Sequence, residues 1–411
     1  MKQRLKGLLA LVLSLTMVFA LATNAWAMVS IGYDEVEADK YWKYEQNSAN
    51  VWTQGDADNY NVYLKNGTLT LNDFTVDIGG GSPAISSDQP LTINLIGSNS
   101  VTGSYAGVSG NVNAISVDGA LAIEGTGSLT TSGTKSGIES TGDLTISGAT
   151  VNATGGDNGI IGSCIAITDA TVNATGGGNG PGIFAYNDIT ISGDNANVTA
   201  TGGDTGDGIC AFGNIAISDG TVTAEGDVYG IYSNNAITIT GGEVEAKADD
   251  DGGVGIRAVN SITISGTNTE VTVGCATGLD ATTVNIAGGS TVSIEASSST
   301  PGTGAKAIIS NTLNMGGNWY QWSTDNTNFT DSTTTALTKE SAAGTATLYI
   351  KPAPGGGAPT PPPTYYPIYI PTVEDEPEVT APNTFDGGIA SAVVVTILSA
   401  TGGAWLAKKK D

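Results

Sequence analysis

Three segments carry one pattern: DLTISGATVNATGGDNGI (143–160), NDITISGDNANVTATGG (187–203) and NAITITGGEVEAKADDDGG (235–253). Each opens on an apolar–Thr/Ala–apolar triplet. A Gly or Asp turn follows, then a Val-centred segment ending in Ala, then a Gly-rich loop; where the next third segment follows directly, as at Ile160, that loop closes on a Gly-Ile pair. Self-similarity at a fixed short period is the mark of a repeat architecture.

Working outward, first triplets begin at Leu69, Leu91, Leu121, Leu144, Ile165, Ile189, Ile215, Ile237, Ile262, Val284 and Leu313. Second segments centre on Val76, Val101, Leu129, Val151, Val172, Val198, Val222, Val244, Val271 and Val292. Third segments centre on Ile85, Ile115, Ile138, Ile160, Ile183, Ile209, Ile231, Ile256, Leu279 and Ile308. Each is short and alternates in and out, as strands do. No window holds the apolar i, i+3, i+4, i+7 pattern of a helix. The pattern predicts an all-β chain: a parallel β-helix of about ten rungs, three short strands each, rising about 4.8 Å per rung. The crossover rule favours a right-handed coil. A single rung cannot bury its apolar side, but a stack can. That explains a core of Ile, Val, Leu and Ala in a chain only 6% aromatic, with its 58 Gly expected at corners of positive φ.

Flanking segments divide the rest. Residues 1–27 read as a secretory signal peptide: basic Lys2, Arg4 and Lys6, an apolar run, and Ala25-Trp26-Ala27 as cleavage site. Its removal leaves 12 Lys and Arg against 40 Asp and Glu, a net charge of −28. So acidic a surface repels nucleic acid and anionic lipid. Residues 28–66, with Tyr41, Trp42, Tyr44 and Trp52, read as an N-terminal cap over the open rod end. Residues 67–317 are the repeats and 318–351 a C-terminal β cap. Residues 352–388 are a Pro-rich linker, 389–407 a 19-residue uncharged transmembrane helix, and 408–411 a basic cytoplasmic tail. Cys164, Cys210 and Cys275 stand about two rungs or more apart, too far for a disulfide.

Three departures from pure repeat mark candidate sites. The outward column of the third strands reads Glu139, Ile161, Phe184, Cys210, Tyr232, Arg257, Asp280, and a second reads Tyr186, Phe212, Asn234, Val259. Phe184, Tyr186, Phe212 and Tyr232 therefore share a face, with Arg257 beside them. Exposed aromatics at a fixed rise suit the apolar faces of sugar rings; a covering segment is the alternative. The loops after the second strands hold Asp157, Asp204, Asp207, Asp227, Asp249, Asp250 and Asp251. Carboxylates and Gly carbonyls are Ca²⁺ ligands; a solvated acidic edge is the alternative. Asn187, Asn235 and Asn260 hold one corner position and suggest a structural amide ladder.

The repeats resemble the clostridial carbohydrate-binding β-helix family of surface proteins. The resemblance lies in Gly206-Asp207-Gly208-Ile209, Ile237-Thr238-Ile239-Thr240-Gly241-Gly242-Glu243-Val244 and Ile262-Thr263-Ile264-Ser265-Gly266, and covers roughly residues 60–310. It implies a right-handed β-helix without catalysis that binds acidic or cellulosic polysaccharide, with calcium among its ligands. The family's Asp before Gly-Ile stands here only as Asp207; Asn158, Pro181, Tyr229, Val254 and Thr277 occupy the equivalent places. The tail resembles a Gram-positive cell-wall sorting signal through Pro382 and Thr384, with Phe385 where Gly is usual. Together these imply a protein displayed on the cell surface, held by membrane or peptidoglycan. An adhesive surface protein with a protein partner is the second reading. Polysaccharide-degrading enzymes share the fold and form the third. With no His in the chain, that third reading rests on Asp204 with Asp207 as paired carboxylates, or on Arg257 as a base.

Overall fold

The computed structural model describes residues 28–353 except 46–50, 106–110, 250–251, 288, 298–304, 317–319 and 333–336. The chain divides into two compact units, Met1–Pro362 and Pro363–Asp411, and all described residues belong to the first. The signal segment, linker, transmembrane segment and tail lie outside the described residues, as do Pro382 and Thr384. Among the described residues no helix is long and apolar enough to cross a membrane.

The repeats stack as a parallel β-solenoid of about nine turns, where the sequence suggests about ten. Third strands are stacked as their spacing predicts. Ile85, Ile115, Ile138, Ile160, Ile183, Ile209, Ile231, Ile256, Leu279 and Ile308 form one unbroken ladder. The first-strand ladder runs without slip from Leu91 to Leu313. Below Leu91 the register shifts by two, so Leu69 pairs with Ile93. That lowest strand is also the second arm of a hairpin with Val62–Lys65. Its turn is Asn66-Gly67, both at positive φ, a tight hairpin turn that fixes register independently of the repeat.

The second strands depart from the expected alignment at one level. Val101 pairs with Thr131, and Leu129 stacks on Asn99. Asn99 thus occupies an inward position and is only 3% exposed. Its amide is fully used: Oδ1 accepts from Phe74 N at 2.9 Å, and Nδ2 donates to the Ile96 and Ser128 carbonyls, each at 3.1 Å. From Leu129 to Val292 the ladder is regular, beside a parallel column of Ala153, Ala174, Ala200, Ala224 and Ala246.

Glycine has two roles here, where composition suggests one. At the turn after the first strand Gly148 and Gly193 do take positive φ. Asp169 takes the same conformation at that turn, and its Oδ1 accepts the Asn195 amide of the next rung at 3.2 Å. The Gly of each Gly-Ile pair is different. At Gly208 an added Cβ would stand 2.7 Å from both Glu225 N and Gly230 O, so close approach between rungs excludes a side chain there.

Both ends of the stack are covered. Val29–Ile31 pairs antiparallel with Ile85–Ser87, and Thr347–Pro352 pairs antiparallel with Thr291–Ala296. These antiparallel additions end the two ladders they join and cover those strand edges. The C-terminal segment also contains a one-turn helix, Lys339–Ala343, capped by Thr338.

Candidate functional site

The aromatic face forms on the third strands because alternation turns every second residue outward. Ladder pairs run Glu139–Ile161–Phe184–Cys210–Tyr232–Arg257–Asp280, as the spacing requires. The side chains do not form one flat platform. Phe184, Tyr186 and Phe212 make a mutually edge-on trio, with Phe184 at 4.9 Å from Tyr186 and 5.1 Å from Phe212. Tyr232 stands apart from them and stacks on Tyr229 at 4.9 Å and 19°. Tyr186 is 55% exposed and Phe212 52%, whereas Phe184 and Tyr232 are half-buried. Ile161 and Cys210, outward by register, are buried beneath their neighbours.

Tyr229 escapes a reading of the outward column alone, because it lies just before the Gly-Ile pair, ahead of the first outward position counted on that strand. Its signal was an aromatic three residues before Tyr232. Arg257 lies over its ring at 5.5 Å and donates from Nη1 to Asp280 Oδ2 at 2.7 Å. At the foot of the same face Glu139 accepts from Lys135 Nζ at 2.6 Å and from Asn113 Nδ2 at 2.8 Å.

The acidic residues separate into two environments. Asp204, Asp227 and Asp249 line an open groove of about 540 Å³, floored by Gly176–Gly178, Gly202, Gly203 and Gly226. Asp207 does not line it. Its half-buried carboxylate accepts from the Cys210 thiol and the Tyr229 amide, behind the aromatic face. Burial pushes Asp207 up to about 6, against the pull of those two bonds. Burial likewise raises the Cys210 thiol, with the Asp207 charge adding to it. Among the described residues no three acidic or Cys side chains converge as a group that could hold a metal. Of the carboxylates named as calcium ligands, Asp204, Asp227 and Asp249 share this groove, Asp207 stands apart, and Asp250 and Asp251 lie outside the described residues. Asp194 and Asp219 do meet, at the corner after the first strand; their shared hydrogen bond, then their mutual repulsion, raises Asp194.

No protein-family model matches the chain, no curated protein matches it, and no solved structure matches it. What stands from the resemblance is the parallel β-solenoid itself.

The amide ladder is real but shifted. Asn260 Nδ2 donates to Asn235 Oδ1 at 2.6 Å, Asn235 to Asn214 at 2.9 Å, and Asn214 to Asp188 at 3.1 Å. Asn187 bonds instead to Ser163 Oγ. Cys164, Cys210 and Cys275 form no disulfide with one another; they lie at a corner, on a third strand and at the end of a second strand.

Proposed function

We propose that the chain is a non-catalytic polysaccharide-binding protein of the cell surface, and that sugar lies along the third-strand face. The observation that carries this is the exposure of Tyr186 and Phe212, with Val259 further up the same column, on a rod whose other outward columns are Thr, Asn, Ala and Glu. Such rings offer apolar contact to pyranose C–H faces. Tyr232, Asn234 and Arg257 flank them with hydrogen-bonding groups. Charge favours a neutral, cellulosic polymer over an acidic one. The chain carries −25, and the cations of this face, Arg257 and Lys135, are already paired with Asp280 and Glu139.

Non-catalysis is the better reading on chemical grounds. Arg257 is held by Asp280, and Asp204 and Asp207 sit in different surroundings rather than facing across one cleft. The coil is read as right-handed by the crossover rule. Export, the surface tether at residues 389–407 and sorting through Thr384 belong to this reading as sequence inferences.

Affinity electrophoresis of the full chain in hydroxyethylcellulose and in polygalacturonate, each with and without EDTA, tests it. Retardation is expected in the neutral polymer. Tyr186→Ala with Phe212→Ala should weaken it at least about tenfold, roughly 1.4 kcal/mol, with the melting temperature little changed. Free migration in every polymer defeats the reading and favours a protein partner. Loss of retardation in EDTA would bring calcium into the site.

A further inference from the structure

The N-terminal cap contains a pocket that the repeat does not build. It encloses about 210 Å³ and is lined by Asp34, Glu35, Val36, Glu37, Trp42 and Trp52. The two indoles meet edge-on at 6.2 Å and 81°. Trp52 is fixed by its Nε1–H, which donates to Asp34 Oδ2 at 3.0 Å. Trp42 Nε1 is buried and has no acceptor among the described residues. Lys40 Nζ stands 5.7 Å from the centre of the Trp42 ring and pairs with Glu37. Lys40 does not line the pocket, but its ammonium already engages two groups that do, the Trp42 ring and the Glu37 carboxylate.

We infer that this pocket is a binding site for a small alkylammonium group, with Lys40 as its internal competitor. Tryptophan faces attract cations more strongly than other rings, and paired aromatic walls recognise quaternary ammonium. Asp34, Glu35 and Glu37 add a negative field that disfavours anions and gives neutral ligands no advantage. The volume lies below the usual range for drug-sized ligands, about 300–1,000 Å³, so a single head group fits and an extended ligand does not.

The test uses choline and its neutral isostere 3,3-dimethyl-1-butanol on the ¹⁵N-labelled full chain at constant ionic strength. Trp42 and Trp52 indole N–H resonances, assigned with Trp42→Phe and Trp52→Phe, are the readout. Choline should move both resonances saturably, and the isostere should not. Lys40→Ala, an exposed change, should tighten choline binding roughly 3- to 30-fold by removing the competing ammonium. Equal shifts with the isostere would show shape without charge recognition and overturn the proposal. So would unchanged affinity in Lys40→Ala, or no saturable shift in either protein at tens of millimolar choline.

Discussion

The second-strand and third-strand columns are built on the same inward plan and differ outside. Along the second strands the outward ladder reads Asn152, Asn173, Thr199, Thr223, Glu245, Thr272. Along the third it reads Glu139, Ile161, Phe184, Cys210, Tyr232, Arg257, Asp280. Inward both carry mostly Ile, Val, Leu or Ala, with a few buried Ser, Thr and Asn such as Ser140, Thr131 and Asn99. Stacking needs only the inward residue and the Gly between rungs. Outward positions are left free, and on one face they stay small and polar while on the other they become large and varied. That difference is what the proposed sugar-binding face rests on.

The largest expected effect tests the shared part. Ile209→Ala and Ile294→Ala, one inside each column, should each cost about 2–5 kcal/mol in chemical denaturation. A cost below about 1 kcal/mol at Ile209 alone would mean the third column packs loosely and the two faces differ inside as well.

A smaller effect belongs to Asp207, which sits behind the aromatic face and has no counterpart on the second strands. Its folded-state pKa, about 6, lies above the ordinary carboxylate value. Between those values the folded chain binds more protons than the unfolded one. The stability contributed by this group therefore rises as pH falls from about 7 to 4, and is lost above 6. Asp207→Asn should stabilise at pH 8 by roughly 2–3 kcal/mol and by little at pH 4. Denaturation midpoints across that range decide it; a variant with the same pH slope as the parent would place Asp207 in water. Asp204→Asn, on the groove rim, should stay within about 0.5 kcal/mol.

The smallest effect sharpens the second column. Thr131 stands 1% exposed between Val101 and Ala153, and its hydroxyl has no hydrogen-bond partner among the described residues. Thr131→Val should stabilise by about 1 kcal/mol, because a buried unpaired hydroxyl is replaced by a methyl group. Destabilisation would show that the hydroxyl is satisfied in solution, and that this level of the column is polar by design.

Sequence alone determined the solenoid, the third-strand ladder and the outward order from Glu139 to Asp280. Period-two alternation and parallel stacking leave one register where successive rungs from Ile138 to Ile256 carry the same Gly-Ile pair. It also placed Tyr186 and Phe212 outside, since both follow from counting along a strand. Tertiary structure decided what counting cannot reach. The Asn66-Gly67 hairpin moved Leu69 against Ile93, and the buried amide of Asn99 took an inward place usually given to Val. The four expected aromatics became a trio and a separate Tyr232 stacked on Tyr229, because ring orientation depends on neighbours from adjacent rungs. Asp207 left the acidic edge for the Cys210 thiol and the Tyr229 amide, a pairing across rungs that position in the loop does not reveal. The cap pocket of Trp42 and Trp52 has no period at all, and only the antiparallel pairing of Tyr41–Glu45 with Val51–Gln54 brings its walls together.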